Sequence, residues 1–228
     1  VVVATKALYD TKATTRSKEA LVNAIKTGIS EYATGAVEKF DTAFRFSRLA
    51  RAIDDTDPAI SSSLTRIEIQ KRMHPTLNAS NSLTLKFGGP LLRTGNTSVI
   101  IPATQLTGHR FGYTAANGTS FTNCYFAEAN NVLQVVGLAN TATSAEKTEV
   151  VVQDSIGTVN TTTGVVTVTG FIPTDIEGDE LDIRLNALPV RSDLVPSLNR
   201  LFTVDANSIQ VDVADDAVTT AATDFYSG

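Results

Sequence analysis

Helical hydrophobic spacing is confined to roughly the first quarter of this chain, and that confinement limits the fold more than any other feature. From about Arg16 to Tyr32, the residues Leu21, Ala24, Ile25, Gly28, Ile29 and Tyr32 recur at three- and four-residue intervals and form one apolar face, with Lys18, Glu19 and Lys26 turned away. Thr15 is the expected N-cap, because its hydroxyl can accept from an unpaired N–H of the first turn. Gly35 marks the expected break. A second helix is expected from about Thr42 to Ile53, capped by Asp41, with Phe46, Leu49, Ala50 and Ile53 as its apolar stripe. Pro58 ends it, since a residue before proline disfavours the helical region.

Strands flank these helices. Val1–Leu8 is apolar and β-branched, and Leu64–Met73 alternates, with Ile67, Ile69, Lys71 and Met73 on one side and Arg66, Glu68, Gln70 and Arg72 on the other. Residues 1–75 therefore read as a strand-helix-helix-strand α+β module, its helices packed on one face of a small sheet. Residues 76–213 read as a β-rich module, a sandwich or an open barrel, and 214–228 as a polar tail that pairs poorly. Expected strands in the second module are Ser82–Phe87, Thr97–Ile101, Asn123–Ala127, Val132–Val136, Thr148–Asp154, Thr158–Asn160, Val165–Thr169, Glu180–Ala187, Leu201–Val204 and Ile209–Val213. Asn130-Asn131 and Thr163-Gly164 are the expected hairpin turns, because Asn and Gly tolerate positive φ. Charge supports a boundary near Pro75: residues 1–75 hold 12 basic and 9 acidic side chains, a balance of +3, whereas the rest carries −8.

Composition excludes more than it identifies. With 42% hydrophobic residues, 7% aromatics and no Trp, a core is affordable but must be mostly aliphatic. A net charge of −5 argues against a general nucleic-acid binder. No apolar run approaches the ~20 residues of a membrane span. The opening residues do not read as a signal peptide, since Lys6 and Asp10 interrupt them. The absence of an initial Met suggests part of a longer protein. One cysteine, Cys124, excludes an internal disulfide and reads as a small buried hydrophobe.

Catalysis needs a positioned acid, base, nucleophile or metal, and no such set is legible. His74 and His109 lie in different segments with no second ligand at metal-like spacing, so no catalytic, metal or cofactor residues are expected. Asp54, Asp55 and Asp57 lack the glycine and distal glutamate of a calcium loop and read as a helix stop and turn. The glycine-rich Phe87–Leu92 stretch lacks a following Lys-Ser/Thr and reads as a strand-ending loop. Asn78, Asn96, Asn117 and Asn160 each begin an Asn-x-Ser/Thr triplet and read as turn composition. Arg45, Arg48 and Arg51 repeat every three residues, either as a solvated helix face or as a contact for an acidic partner. Phe44 and Phe46 beside them are either core residues or interface anchors.

The stretch YATGAVEKFDTAFRFSRLARAIDDTDPAISSSLTRIEIQKRM resembles baseplate wedge proteins of T-even-like contractile-tail phages, with looser likeness to baseplate J-like proteins. The positions that carry the resemblance are Phe40, Phe44, Arg45, Phe46, Ser47, Arg48, Ala52, Ile53, Asp54, Asp57, Pro58 and Ile60. A weaker likeness continues through SIGTVNTTTGVVTVTGF and through Asp193, Pro196, Asn199, Val204 and Asp205, while residues 103–131 match only in general character. The resemblance implies the carboxy-terminal portion of a non-enzymatic structural subunit. Such a subunit pairs with itself into a ring around the tail hub, binds other wedge and hub proteins, and sits in the virion after assembly in the host cytoplasm. It needs no cofactor, nucleic acid or membrane. Phe44, Arg45, Phe46, Arg48 and Arg51 are the interface candidates, and the opposite charges of the two modules suggest that one module meets the other in a neighbouring subunit. The alternative is a β-sandwich module binding a host or virion ligand, against which the lack of Trp and the scarcity of Tyr weigh.

Overall fold

A computed structural model describes residues 1–39, 42–93, 100–101, 110–139, 148–178, 181–196 and 201–216. The chain is α+β. In order it forms β1 (Val2–Tyr9), α1 (Lys18–Tyr32), a π-helical turn (Ala33–Val37), α2 (Phe46–Asp54), β2 (Ile60–Met73), β3 (Asn81–Lys86) and β4 (Ile100–Ile101). Then come β5 (Phe111–Thr114), β6 (Ser120–Ala129), β7 (Val132–Ala139), β8 (Thr148–Asn160), β9 (Val165–Phe171) and β10 (Pro173–Ile176). Last are β11 (Ile183–Ala187), a 3-10 turn (Ala206–Ser208) and β12 (Gln210–Asp215). Among the described residues no helix is long and apolar enough to cross a membrane.

Two compact units emerge. One joins Val3–Arg66 to Leu201–Gly228; the other holds Val1–Val2 and Ile67–Arg200. Their limits differ from the expected spans, because the chain returns to the helical unit at its end. There β12 pairs in parallel with β1, from Ala4 opposite Gln210 to Tyr9 opposite Asp215. Gln210–Val213 therefore lies outside the β-rich unit. Ala214 and Asp215, expected in a poorly paired tail, complete this ladder opposite Leu8 and Tyr9. The remainder of that tail, 217–228, lies outside the described residues.

In the helical unit, α1 starts two residues later than expected. Ser17, not Thr15, is the N-cap, and its Oγ accepts from the Ala20 N–H at 3.2 Å. Arg16 is thereby left outside the helix, where it pairs with Asp57 at 3.4 Å. Leu21, Ile25 and Ile29, four residues apart, are fully buried. Instead of stopping at Gly35, the helix widens: the Glu38 N–H donates to the Ala33 carbonyl at 2.9 Å, and both Ala33 and Val37 are buried. β2 begins at Ile60 rather than Leu64. Asp57 Oδ1 accepts from the Ala59 N–H, and the Ser61 hydroxyl donates to the Leu8 carbonyl, so the chain is already extended there.

The β-rich unit is built on an antiparallel seven-stranded sheet in the order β10-β5-β6-β7-β8-β9-β3. In the same unit β11 pairs with the second half of β2, Ile183 opposite Met73 through Ala187 opposite Ile69, and with β4 on its other side. Phe111, Phe126 and Phe171 gather at ring separations of 4.8–5.0 Å in its core, beside Leu133 and Val135. Both expected hairpins form. Asn130 and Asn131 have φ of 52° and 66°, which a two-residue hairpin turn with the strands' own twist demands. Gly164 has φ 66°, and a Cβ there would lie 1.9 Å from the Gly89 carbonyl oxygen.

Several strand expectations change. Thr148–Asp154 and Thr158–Asn160 are one strand, β8, whose pairing with β7 shifts register twice. β5 and β10 were not expected. Leu201–Val204 is not a strand; the Val204 N–H instead donates to Glu38 Oε1 at 3.1 Å. Of Thr97–Ile101 only β4 is described, and Glu180 lies outside the described residues.

Candidate subunit interface

The start of α2 is set from α1. The Tyr32 hydroxyl donates to the Arg45 carbonyl at 2.9 Å and accepts from the Arg45 N–H at 3.1 Å. This double contact holds Arg45 extended, at φ −110° and ψ 110°, so the helix begins at Phe46 and not at Thr42. Asp41, the expected cap, lies outside the described residues, as does Phe40. The Tyr32 ring meets Phe44 edge-on, with centroids 6.0 Å apart and planes at 77°. Phe44 is 0% exposed and belongs to the unit's core.

The five interface candidates thus separate. Phe44 points inward. Phe46 is half-buried at the rim, and Arg45, Arg48 and Arg51 are exposed. Leu49 and Ile53 bury the opposite side of α2, so its sequence divides into an apolar face and an arginine face. Arg51 bonds Asp55 at 3.2 Å, with side chains 82% and 68% exposed. Such a solvated i,i+4 pair contributes about 0.5 kcal/mol or less and yields readily to a better partner.

The carboxylates at the end of α2 and just after it serve the turn. Asp54 accepts from the Ser63 hydroxyl at 2.6 Å, Asp55 from Arg51, and Asp57 from the Ala59 N–H while pairing with Arg16. Phe87–Leu92 closes a strand end: the Phe87 N–H donates to Gly164 and the Leu91 N–H to Thr161. His74 pairs with Asp182 at 2.6 Å. His109 lies outside the described residues. Among the described residues no group of three or more His, Cys, Asp or Glu side chains could hold a metal ion. Cys124 is fully buried, and burial pushes its thiol up to about 12, although Arg110 works the other way. Burial likewise raises Tyr113 and Tyr125, the latter also through its hydrogen bond with Glu149.

Two buried polar sets escaped the sequence reading. Glu128, between Ala127 and Ala129, forms an ion pair with Arg93 and accepts from the Asn131 N–H at 2.6 Å, fixing the β6–β7 turn. Asn186 donates to Glu68 at 3.0 Å and accepts from Gln70 at 3.1 Å across β2 and β11. For Glu128 the available signal was an acidic residue among apolar neighbours, whereas Glu68 stood on the polar side of an alternating strand and gave none. Each set satisfies its own groups, which is what burial of charge requires.

Residues 1–72 match the family model described as baseplate structural protein gp6, C-terminal domain III. The match spans about a third of the chain and covers every position from Phe40 to Ile60 that carried the resemblance to baseplate wedge proteins. Over this segment the chain is similar to a structural component of the virion tail baseplate. No curated protein matches the chain.

Proposed function

We propose that this chain is a non-catalytic structural subunit of a contractile phage tail baseplate wedge, working through its interfaces. It associates with further copies of itself into the ring around the tail hub and with other wedge and hub proteins. It is assembled in the host cytoplasm. The single observation that supports the reading is the baseplate match over residues 1–72.

The exposed arginines along α2, with Arg45 just ahead of it, are the contact we assign within that reading. Arg45, Arg48, Arg51 and the half-buried Phe46 combine planar cations with an aromatic rim, the residue types enriched among interface anchors. The partner we assign is an acidic surface of a neighbouring copy. Replacing Arg45, Arg48 and Arg51 together with Glu tests the assignment. The expected outcome is loss of baseplate incorporation, and of self-association at low salt, in a chain whose thermal unfolding is little changed. Equal assembly by wild type and variant in low and high salt would remove the arginine face from the proposal. Absence of the chain from purified intact tails, read by mass spectrometry, would overturn the baseplate reading itself.

A further inference from the structure

We infer that the outer edge of β8 between Glu149 and Gln153 adds antiparallel to the same segment of a second copy. The inference rests on the self-association proposed above and gives it a second surface, away from the arginine face.

Strand edges invite pairing unless they are blunted. The two outer strands of the seven-stranded sheet are blunted. β10 has Pro173, a register break before Asp175, and an exposed carboxylate at Asp175. β3 has a break between Asn81 and Leu83 and an exposed Lys86. β8 differs. Thr148–Val151, Gln153, Gly157 and Thr158 pair with β7 on one side, but on the other β9 covers only Gly157–Asn160. Among the described residues, no strand lies against Glu149–Gln153 on that side. Val150 and Val151 are 39% and 48% exposed. Successive residues of a strand point to opposite faces, so apolar surface is offered on both.

The sequence of the segment selects the occupant. Glu-Val-Val-Val-Gln reads nearly the same in both directions about Val151. In a two-fold antiparallel pair centred there, Glu149 lies opposite Gln153, Val150 opposite Val152, and Val151 opposite itself. No like charges meet, and each Glu149 carboxylate faces an amide that can donate to it. A parallel in-register stack would instead set Glu149 on Glu149. The bulge at Val152, where β8 shifts against β7, sharpens the local twist and keeps the added ladder short. Five residues a side bury far less than the ~1,200 Å² of a stable interface. The contact is therefore weak alone and acts beside others in an assembly.

Cysteine trapping of the full chain reads a weak, register-defined contact. The native Cys124 is buried, so an introduced thiol is the accessible one. Two copies of Val151→Cys meet across the two-fold axis, whereas Glu149→Cys places its thiols about 13 Å apart at ~3.3 Å per residue. Under mild oxidation with oxidised glutathione, Val151→Cys is expected to form a covalent dimer and Glu149→Cys is not. Adding Val150→Lys to Val151→Cys, which places a charge against Val152, is expected to abolish the dimer. Failure of Val151→Cys to outpace Glu149→Cys, or no effect of Val150→Lys, overturns the inference. Neither result bears on the arginine-face variant, which reads a different surface.

Discussion

At the scale of single residues, Tyr32 does more than fill an apolar stripe. Its ring packs on Phe44 while its hydroxyl holds both backbone polar groups of Arg45. Phenylalanine at this position keeps the ring and removes both hydrogen bonds, leaving the Arg45 groups to find water. Tyr32→Phe is expected to cost about 1–2 kcal/mol, read as a lower denaturant midpoint at unchanged slope. An unchanged midpoint would mean that the hydroxyl does not set where α2 begins. Helical spacing placed Tyr32 correctly on the buried side of α1, but nothing in spacing points to a backbone partner thirteen residues on. The same limit applies at Phe44. Pattern alone left it divided between core and surface, and the edge-on contact with Tyr32 is a tertiary fact.

At the scale of elements, local chemistry was legible wherever a turn demanded a residue type. Asn130-Asn131 and Gly164 show this, since only residues tolerant of positive φ fit there. Gly164→Ala adds a Cβ at positive φ, 1.9 Å from the Gly89 oxygen, so both backbone segments must move. Its expected cost is about 2 kcal/mol or more, measured by thermal unfolding, with Thr163→Ala one residue away as a near-neutral control. A neutral Gly164→Ala would show that the two loops separate freely. Legibility failed where pairing overrides pattern. β5 is four residues long, and β10 opens with Pro173, which reads against a strand yet is tolerated at a sheet edge. β8 looked like two strands because Ser155 and Gly157 interrupt its β-branched run; its pairing with β7 breaks at Asp154–Ile156 and resumes at Gly157, while the chain stays extended throughout. On α2, the arginine repeat was visible in the sequence, and its exposure follows from Leu49 and Ile53 taking the other side.

At the scale of the whole molecule, the charge shift near Pro75 and the helix-to-strand transition both follow the order of the chain, whereas the units do not. The helical unit is finished by the chain's end, through a parallel ladder between β1 and β12 that joins residues about 200 positions apart. No local pattern encodes a parallel partner at that separation, which is why Gln210–Asp215 was read as the close of the β-rich module and the start of a tail. The contact is substantial. Val213 is 1% exposed, Lys18 reaches Asp212 at 3.5 Å, and the Asp216 N–H donates to the Tyr9 carbonyl at 2.8 Å. Burying Val213 alone is worth about 2 kcal/mol. A chain ended after Ile209 leaves the outer edge of β1 unpaired and uncovers the side of α1 that packs on β12. It is expected to lose the cooperative unfolding of the helical unit, seen as early hydrogen exchange across α1 and β1. A chain ended after Asp216 keeps every pair of the ladder and is expected to exchange like the full protein. Equal protection of α1 and β1 in both truncations would show that β12 is dispensable. Then Val3–Arg66 would hold its fold without the returning strand.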